Sequence, residues 1–344
     1  MRLLLIPFFL LMVQCTLAQE PAPFGLKSYT LHHATLGTVN YHITENGFEK
    51  TKPVLLYLEG SGCNPFYRVI DDGQNCCLYV NYHLLNLDSL SNRYHIILIS
   101  KPGVPLSDTL KVKSYDDFKM GATNCNDTYQ QKLSLPWRAQ AAAAVLNEAL
   151  QKLSYIKDRV IVMGNSEGGQ VAPHAALLNK KITHCINICG SGINQFYTPI
   201  IQARMEARKG TISYEAAEKK VDSLFKIYEA IYASKDPTNQ EWEGATYQRW
   251  SSFTKHYPLD SYIKLNIPIY ITIGAKDENG DVLSSDYVKL EFLRLGKQNL
   301  TYKVYPNSDH FFNEIVQEDG KLKKVSRIQE VIYTALSWVE QTSR

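Results

Sequence analysis

The chain has 344 residues, of which 44% are hydrophobic, 21% charged and 11% aromatic, and its formal charge is +3. That composition excludes a disordered, collagen-like or coiled-coil protein. Basic residues never run longer than two together, so the clustered Lys/Arg face of a nucleic-acid binder is missing and no nucleic-acid partner is expected.

The N-terminus reads Met1-Arg2, an apolar run Leu3–Val13, then Thr16-Leu17-Ala18. A basic start, a short apolar stretch and a small residue before Gln19 predict a signal peptide over residues 1–18, cleaved after Ala18. Pro7 interrupts the run, and no later segment offers the roughly eighteen apolar residues of a membrane span. The mature chain, residues 19–344, is expected to be secreted or periplasmic. Cleavage removes Cys15 and leaves six of the seven cysteines. An oxidising compartment then favours one or two bridges among Cys63, Cys76, Cys77 and Cys125, which sit in polar, loop-like sequence. Cys185 and Cys189 share one apolar run; four residues apart on a strand they lie roughly 13 Å from each other, too far to bond. They are expected to be buried thiols.

Short β-rich runs then alternate with helical stretches. Lys27–Leu31 and Val39–Thr44 read as antiparallel strands about Gly37, and Val54–Leu58 is an apolar run ending at Glu59-Gly60-Ser61-Gly62. Tyr94–Ser100 ends at Lys101-Pro102-Gly103, and the loop from Gly103 to Leu135 is long and polar. Trp137–Leu153 reads as a helix opened by Pro136 and rich in alanine. Arg159–Met163 is a buried-type strand ending at Gly164, followed by a helix from Ser166 through Leu178 and the strand Thr183–Cys189. Residues 194–262 break the rhythm with charged, helical sequence, Glu215–Ala233 being the clearest helix. Strands return at Pro268–Ile273 and Leu300–Tyr305, with helices over Ser284–Leu295 and Ser326–Glu340. The alternation predicts an α/β protein: a mostly parallel central sheet, helices on both faces, and one helical cap inserted at about 194–262.

The strongest chemical signal is Gly164-Asn165-Ser166-Glu167-Gly168-Gly169, set between a strand and a helix. A serine hydroxyl is a poor nucleophile until a base takes its proton. A tight strand-to-helix turn exposes Oγ, and the helix start offers the N–H of Glu167 to a developing oxyanion. The bland alternative is a glycine turn with a solvent-facing serine.

On this motif the mature chain resembles the α/β-hydrolase family, in the branch holding esterases, dienelactone hydrolases, bile-acid acyltransferase-like thioester hydrolases and prolyl-oligopeptidase catalytic domains. That resemblance implies a triad ordered serine, acid, histidine, with the acid after the next-to-last strand and the histidine after the last. Asp277 follows Pro268–Ile273 and His310 follows Leu300–Tyr305, so Ser166, Asp277 and His310 are the expected triad. Asp281 is the alternative acid; Asp286 is farther from the strand, and Asp309 is expected to be a turn residue. The other histidines carry no motif. The second oxyanion donor should come from the loop after Val54–Leu58: the N–H of Ser61 first, Gly62 next. Relatives often begin that loop His-Gly, whereas here it begins Glu59-Gly60, and the Glu59 carboxylate is expected to hold the loop by accepting backbone N–H groups.

Neither metal-ligand spacing nor a Gly-rich phosphate motif occurs, so neither a metal nor a nucleotide cofactor is expected. Tyr197, Tyr247, Trp250 and Phe253 are candidates for a substrate-lining wall, against the alternative that they form the cap's own core. Arg204, Arg208 and Arg249 are read as a solvated helix face, and Glu167 as a helix-start carboxylate. The expected function is hydrolysis of a carboxylic ester through an acyl-enzyme, on a small ester or short peptide substrate. A serine peptidase or aminopeptidase using the same triad is the alternative, and a binding protein on a hydrolase scaffold the second.

Overall fold

A computed structural model describes residues 23–71, 76–80, 85–111 and 125–343. The expected signal peptide, Cys15 and His83 lie outside the described residues, as do the side chains of Cys76 and Cys77.

The chain opens with the hairpin β1 (Leu26–His33) and β2 (Gly37–Thr44), paired over their full length. β3 (Lys52–Leu58) follows, then β4 (Tyr67–Asp71), β5 (Cys76–Val80), a single-turn α1 (Leu87–Leu90), β6 (His95–Ile99) and β7 (Ser107–Lys111). Helices α2 (Asp127–Lys132) and α3 (Leu135–Lys152) lead into β8 (Tyr155–Asn165), α4 (Glu167–Leu178) and β9 (His184–Ile188). Four helices then intervene: α5 (Tyr197–Arg208), α6 (Tyr214–Ala233), α7 (Tyr247–Lys255) and α8 (Pro258–Tyr262), with a small hairpin of β10 (Glu241–Trp242) and β11 (Ala245–Thr246) before α7. β12 (Ile269–Gly274), α9 (Val282–Arg294), β13 (Leu300–Tyr305), the hairpin β14 (Asn313–Glu318) and β15 (Lys321–Ser326), and α10 (Ile328–Thr342) complete it.

Eight strands form one sheet in the order β1-β2-β6-β3-β8-β9-β12-β13, parallel from β6 onward and antiparallel where β1, β2 and β6 meet. Both faces are covered, which is why the central strands read as unbroken apolar runs. Along β3, Val54, Leu56 and Leu58 enter one core with helices α3, α4 and α9, while Leu55 and Tyr57 enter the other with α10. In β8, Val160 and Val162 face the first core, Ile161 and Met163 the second. This is the two-residue alternation of a strand expressed wholly in hydrophobic residues. The helical insertion sits between β9 and β12, which are neighbours in the sheet, so the sheet closes behind it.

Cys63 and Cys125 are bonded, one of the bridges expected, and Cys185 and Cys189 are buried free thiols. The disulfide packs beside Val104, Tyr129 and Leu133, pinning the segment after β3 to the start of α2. Among the described residues no helix is long and apolar enough to cross a membrane.

Several histidines are structural. His42 is buried and bonds Ser28 Oγ at 2.8 Å and Ser100 Oγ at 3.2 Å; His174 bonds Ser261 Oγ at 2.9 Å and buried His184 bonds Thr183 Oγ1 at 2.8 Å. Burial lowers each to about 4 from an ordinary 6.5. A histidine that binds its proton less readily when folded leaves the unfolded chain the better proton acceptor. Stability is therefore complete above pH 6.5 and declines as pH falls toward 4. Because solvent partly reaches the rings, the loss is discounted to on the order of 2 kcal/mol for each. Thermal melting at pH 7 and pH 4.5 checks this: a midpoint lower by about 5 °C or more at the acid pH is expected, and an unchanged one would overturn it.

Candidate active site

The turn between β8 and α4 is built from close backbone approaches. Ser166 has φ 52° and ψ −118°, a conformation side chains rarely adopt, and it is held there by its N–H to Ile188 O at 2.8 Å and by Gly169 N–H to its own carbonyl at 2.9 Å. Gly168 lets α4 start directly against the end of β3: a Cβ there would sit 2.0 Å from Leu58 O. The strained serine thus presents Oγ at the C-terminal edge of the sheet.

His310 follows β13 and reaches back to that hydroxyl, with Nε2 3.1 Å from Ser166 Oγ. Its Nδ1 faces the carboxylate of Asp277, 2.9 Å from Oδ1 and 2.8 Å from Oδ2. Asp277 follows β12, is 4% exposed, and its Oδ1 also accepts the N–H groups of Asn279 and Gly280, each at 2.8 Å. Those two backbone donors fix the orientation of the carboxylate that faces the histidine. Three residues from three loops thus form one chain of hydrogen bonds. The structure brings together Ser166, Asp277 and His310 as the sequence expectation paired them. Asp281 caps α9 through Leu283 N–H, Asp286 accepts from Tyr302 Oη, and Asp309 accepts from Phe311 and Asn313 in a turn.

The loop after β3 lies against the serine: a Cβ on Gly60 would come 3.5 Å from Ser166 Cβ. Glu59 departs from the expectation that its carboxylate accepts backbone N–H groups. It is half-buried and faces Lys101 Nζ at 3.3 Å. Burial pushes the Glu59 carboxyl up and the Lys101 ammonium down, each opposed by the other's charge. Lys101 also donates to Gly60 O at 2.6 Å and Gly62 O at 2.5 Å.

Glu167 is more than the helix-start carboxylate the sequence suggests. It is 2% exposed and lies between two arginines. Arg138 Nη1, from α3, reaches Oε1 at 2.7 Å; Arg249, from α7, reaches Oε2 through Nε at 3.0 Å and Nη2 at 2.7 Å. Burial alone raises its pKa, but Arg249, Arg138 and Lys101 outweigh that and hold it at about 2. Arg249 therefore does not lie on a solvated face as expected: it is buried, with its guanidinium 4.2 Å from the ring centre of Trp250 and 4.9 Å from that of Phe253. Arg204 does lie on the surface, paired with Glu218.

The four aromatic candidates separate. Phe253 is fully buried in the main core, so its ring is enclosed by protein rather than open to a substrate. Tyr247 and Trp250 pack against a cluster centred on Phe196, Tyr228 and Ile231 inside the insertion, and Tyr197 is half exposed. An aromatic at helical spacing carries no sign of which way it faces, so both the lining and core readings were open in the sequence.

Among the described residues, the grouping of histidine, cysteine and carboxylate atoms that converges within 4.8 Å is Cys189, Asp277 and His310. Asp277 and His310 already bond each other, and burial pushes the Cys189 thiol well up, keeping it protonated.

No family model matches the chain, and no curated protein matches it by sequence. Its structure is similar to a puromycin-hydrolyzing peptidase of Mycobacterium tuberculosis, at 12% identity and TM-score 0.54 over 92% of this chain and 40% of that one. It is also similar to the acylaminoacyl peptidase of Pyrococcus horikoshii, at 13% identity and TM-score 0.53 over 93% of this chain and 41% of that one. The chain thus spans about two fifths of the length of these peptidases. Acetyl xylan esterase 1 from Thermoanaerobacterium is similar over 93% of this chain and 89% of its own, at 12% identity and TM-score 0.47. Sheet order, the place of the serine between β8 and α4, and the likeness to the two peptidases give this chain the α/β-hydrolase fold.

Proposed function

We propose that this protein is a serine hydrolase that cleaves carboxylic esters through an acyl-enzyme. One observation carries the reading: an unbroken chain of hydrogen bonds from Asp277 through His310 to a serine held at positive φ. Ser166 Oγ attacks the ester carbonyl while His310 Nε2 takes its proton, and Asp277 stabilises the imidazolium. The oxyanion is received by the N–H groups of Glu167 and Ser61, with Gly62 as the alternative in the second position. Collapse expels the alcohol, which takes the proton back from His310. Water, activated by the same nitrogen, then attacks the acyl-enzyme and frees the acid and Ser166.

The insertion over about 194–262 serves as a cap on this site. It reaches the serine turn through Arg249 and the acid loop through Gln202, whose Nε2 donates to Glu278 O at 2.8 Å. Of the four aromatic candidates, Tyr197 is the one whose side chain is exposed. The apolar run Leu3–Val13 and the Cys63–Cys125 bridge support export to an oxidising compartment.

Treatment of the chain from Gln19 onward with a fluorophosphonate, read by intact mass, tests the chemistry. One adduct is expected, absent in Ser166→Ala; a well-folded protein that takes none overturns the reading. A series of acyl esters and aminoacyl amides then tests the substrate, and faster turnover of the amides would replace ester cleavage with peptidase activity.

A further inference from the structure

The mechanism needs two N–H groups held at a fixed spacing, yet both belong to flexible kinds of backbone: a loop of Glu59-Gly60-Ser61-Gly62 and the first residue of a helix. Beneath them lie four buried charges, Lys101, Arg138, Glu167 and Arg249, together with the half-buried Glu59, within one connected set of contacts. We propose that Lys101 and Arg138 are positioning residues that aim and space the two oxyanion donors. The inference rests on the reading of Ser166 as nucleophile.

Peptide planarity supplies the argument for Lys101. The N–H of Ser61 and the C=O of Gly60 belong to one peptide unit, and the described residues contain no cis peptide bond. In a trans unit the two groups point in opposite directions. Lys101 Nζ holds Gly60 O at 2.6 Å, so the Ser61 N–H is turned away from Lys101. The same ammonium holds Gly62 O at 2.5 Å, fixing the far side of the loop, where Gly62 supplies the φ of +92° that the turn requires. With Glu59 as its third partner, each of the three ammonium hydrogens has an acceptor.

Arg138 sets the spacing. Its Nη1 bonds the Glu167 side chain at 2.7 Å and its Nη2 bonds Glu59 O at 2.8 Å. One rigid guanidinium thus touches the residue that carries the first donor and the residue that opens the loop of the second. A planar fork transmits position in a way that a flexible ammonium cannot.

Charge balance makes the test feasible. The set holds three cations and two carboxylates: removing Arg138 leaves Arg249 on Glu167 and Lys101 on Glu59, and removing Lys101 leaves Glu167 with both arginines while Glu59, whose carboxyl burial already pushes up, can take a proton. Lys101→Met and Arg138→Met are therefore expected to fold, as judged by circular dichroism and thermal melting. With p-nitrophenyl acetate, each should lower kcat by about 100-fold with KM within about threefold, because oxyanion donors act in the transition state. An aryl boronic acid, which forms a tetrahedral adduct on serine, should lose affinity in proportion to kcat/KM. Lys101→Arg, which keeps charge and several donors, should recover part of the rate, and Arg204→Ala on the surface should change nothing.

Folded variants with wild-type kcat overturn the inference, as do parallel losses of kcat and boronate affinity that Lys101→Arg fails to relieve. Failure of all three variants to fold would also overturn it, assigning the cluster to stability alone. Full activity in Ser166→Ala would instead overturn the underlying reading, whatever the Lys101 and Arg138 variants do.

Discussion

Replacing Asp277 with asparagine is expected to lower kcat by about 10⁴-fold while the protein stays folded. The size of the effect follows from which atoms the side chain already serves. Oδ1 accepts two backbone N–H groups, from Asn279 and Gly280, so an asparagine must place its carbonyl oxygen there. Its NH2 group then occupies the Oδ2 position, 2.8 Å from His310 Nδ1. An NH2 can only donate, which makes Nδ1 the acceptor and leaves the ring proton on Nε2. A protonated Nε2 cannot take the Ser166 proton. Steady-state kinetics with circular dichroism on the same sample checks this, and a loss smaller than tenfold would remove Asp277 from the acid's role.

Gly168→Ala is expected to be among the most damaging single methyl additions in the site. Its Cβ would sit 2.0 Å from Leu58 O and 2.7 Å from Glu59 O. Both obstacles are backbone at the end of the central strand β3, and neither can swing aside as a side chain would. Helix α4 must retreat, carrying the Glu167 N–H away from the Ser61 loop. Overpacking against main chain costs on the order of 3 kcal/mol or more. Urea denaturation should show that loss of stability, and whatever protein remains folded should have lost most of its activity. A stability within 1 kcal/mol of wild type would show that the elbow is far more yielding than its contacts imply.

The sequence was most legible where chemistry is local. The helix through Leu178 begins, and the strand Leu300–Tyr305 ends, where they were expected, because Ser166-Glu167-Gly168-Gly169 and Pro306-Asn307 punctuate them. The serine, acid and histidine were readable because each follows its strand directly. The charged set beneath the site was not readable, since Glu167 meets Arg138 and Arg249 from 29 and 82 residues away. Neither arginine has a neighbour in sequence that betrays its partner. Lys101 read as part of a Lys-Pro-Gly turn, and its burial depends on where β6 ends relative to β3. The β14–β15 hairpin turns on Asp319-Gly320, but Ile315 beside Val316 and Lys323 beside Lys324 break the two-residue alternation that marks a strand.

The Cys63–Cys125 bridge has a consequence in time. It fastens the chain one residue beyond Gly62, so the loop that carries Ser61 is held at Gly60 and Gly62 by Lys101 and, just beyond, by a covalent bond. A newly made chain still carrying thiols lacks the second tether, and its loop samples more conformations before each turnover. Oxidation then becomes the last step of assembly as well as a staple. On the proposed reading of an exported hydrolase, the loop gains its full constraint only where thiols are oxidised.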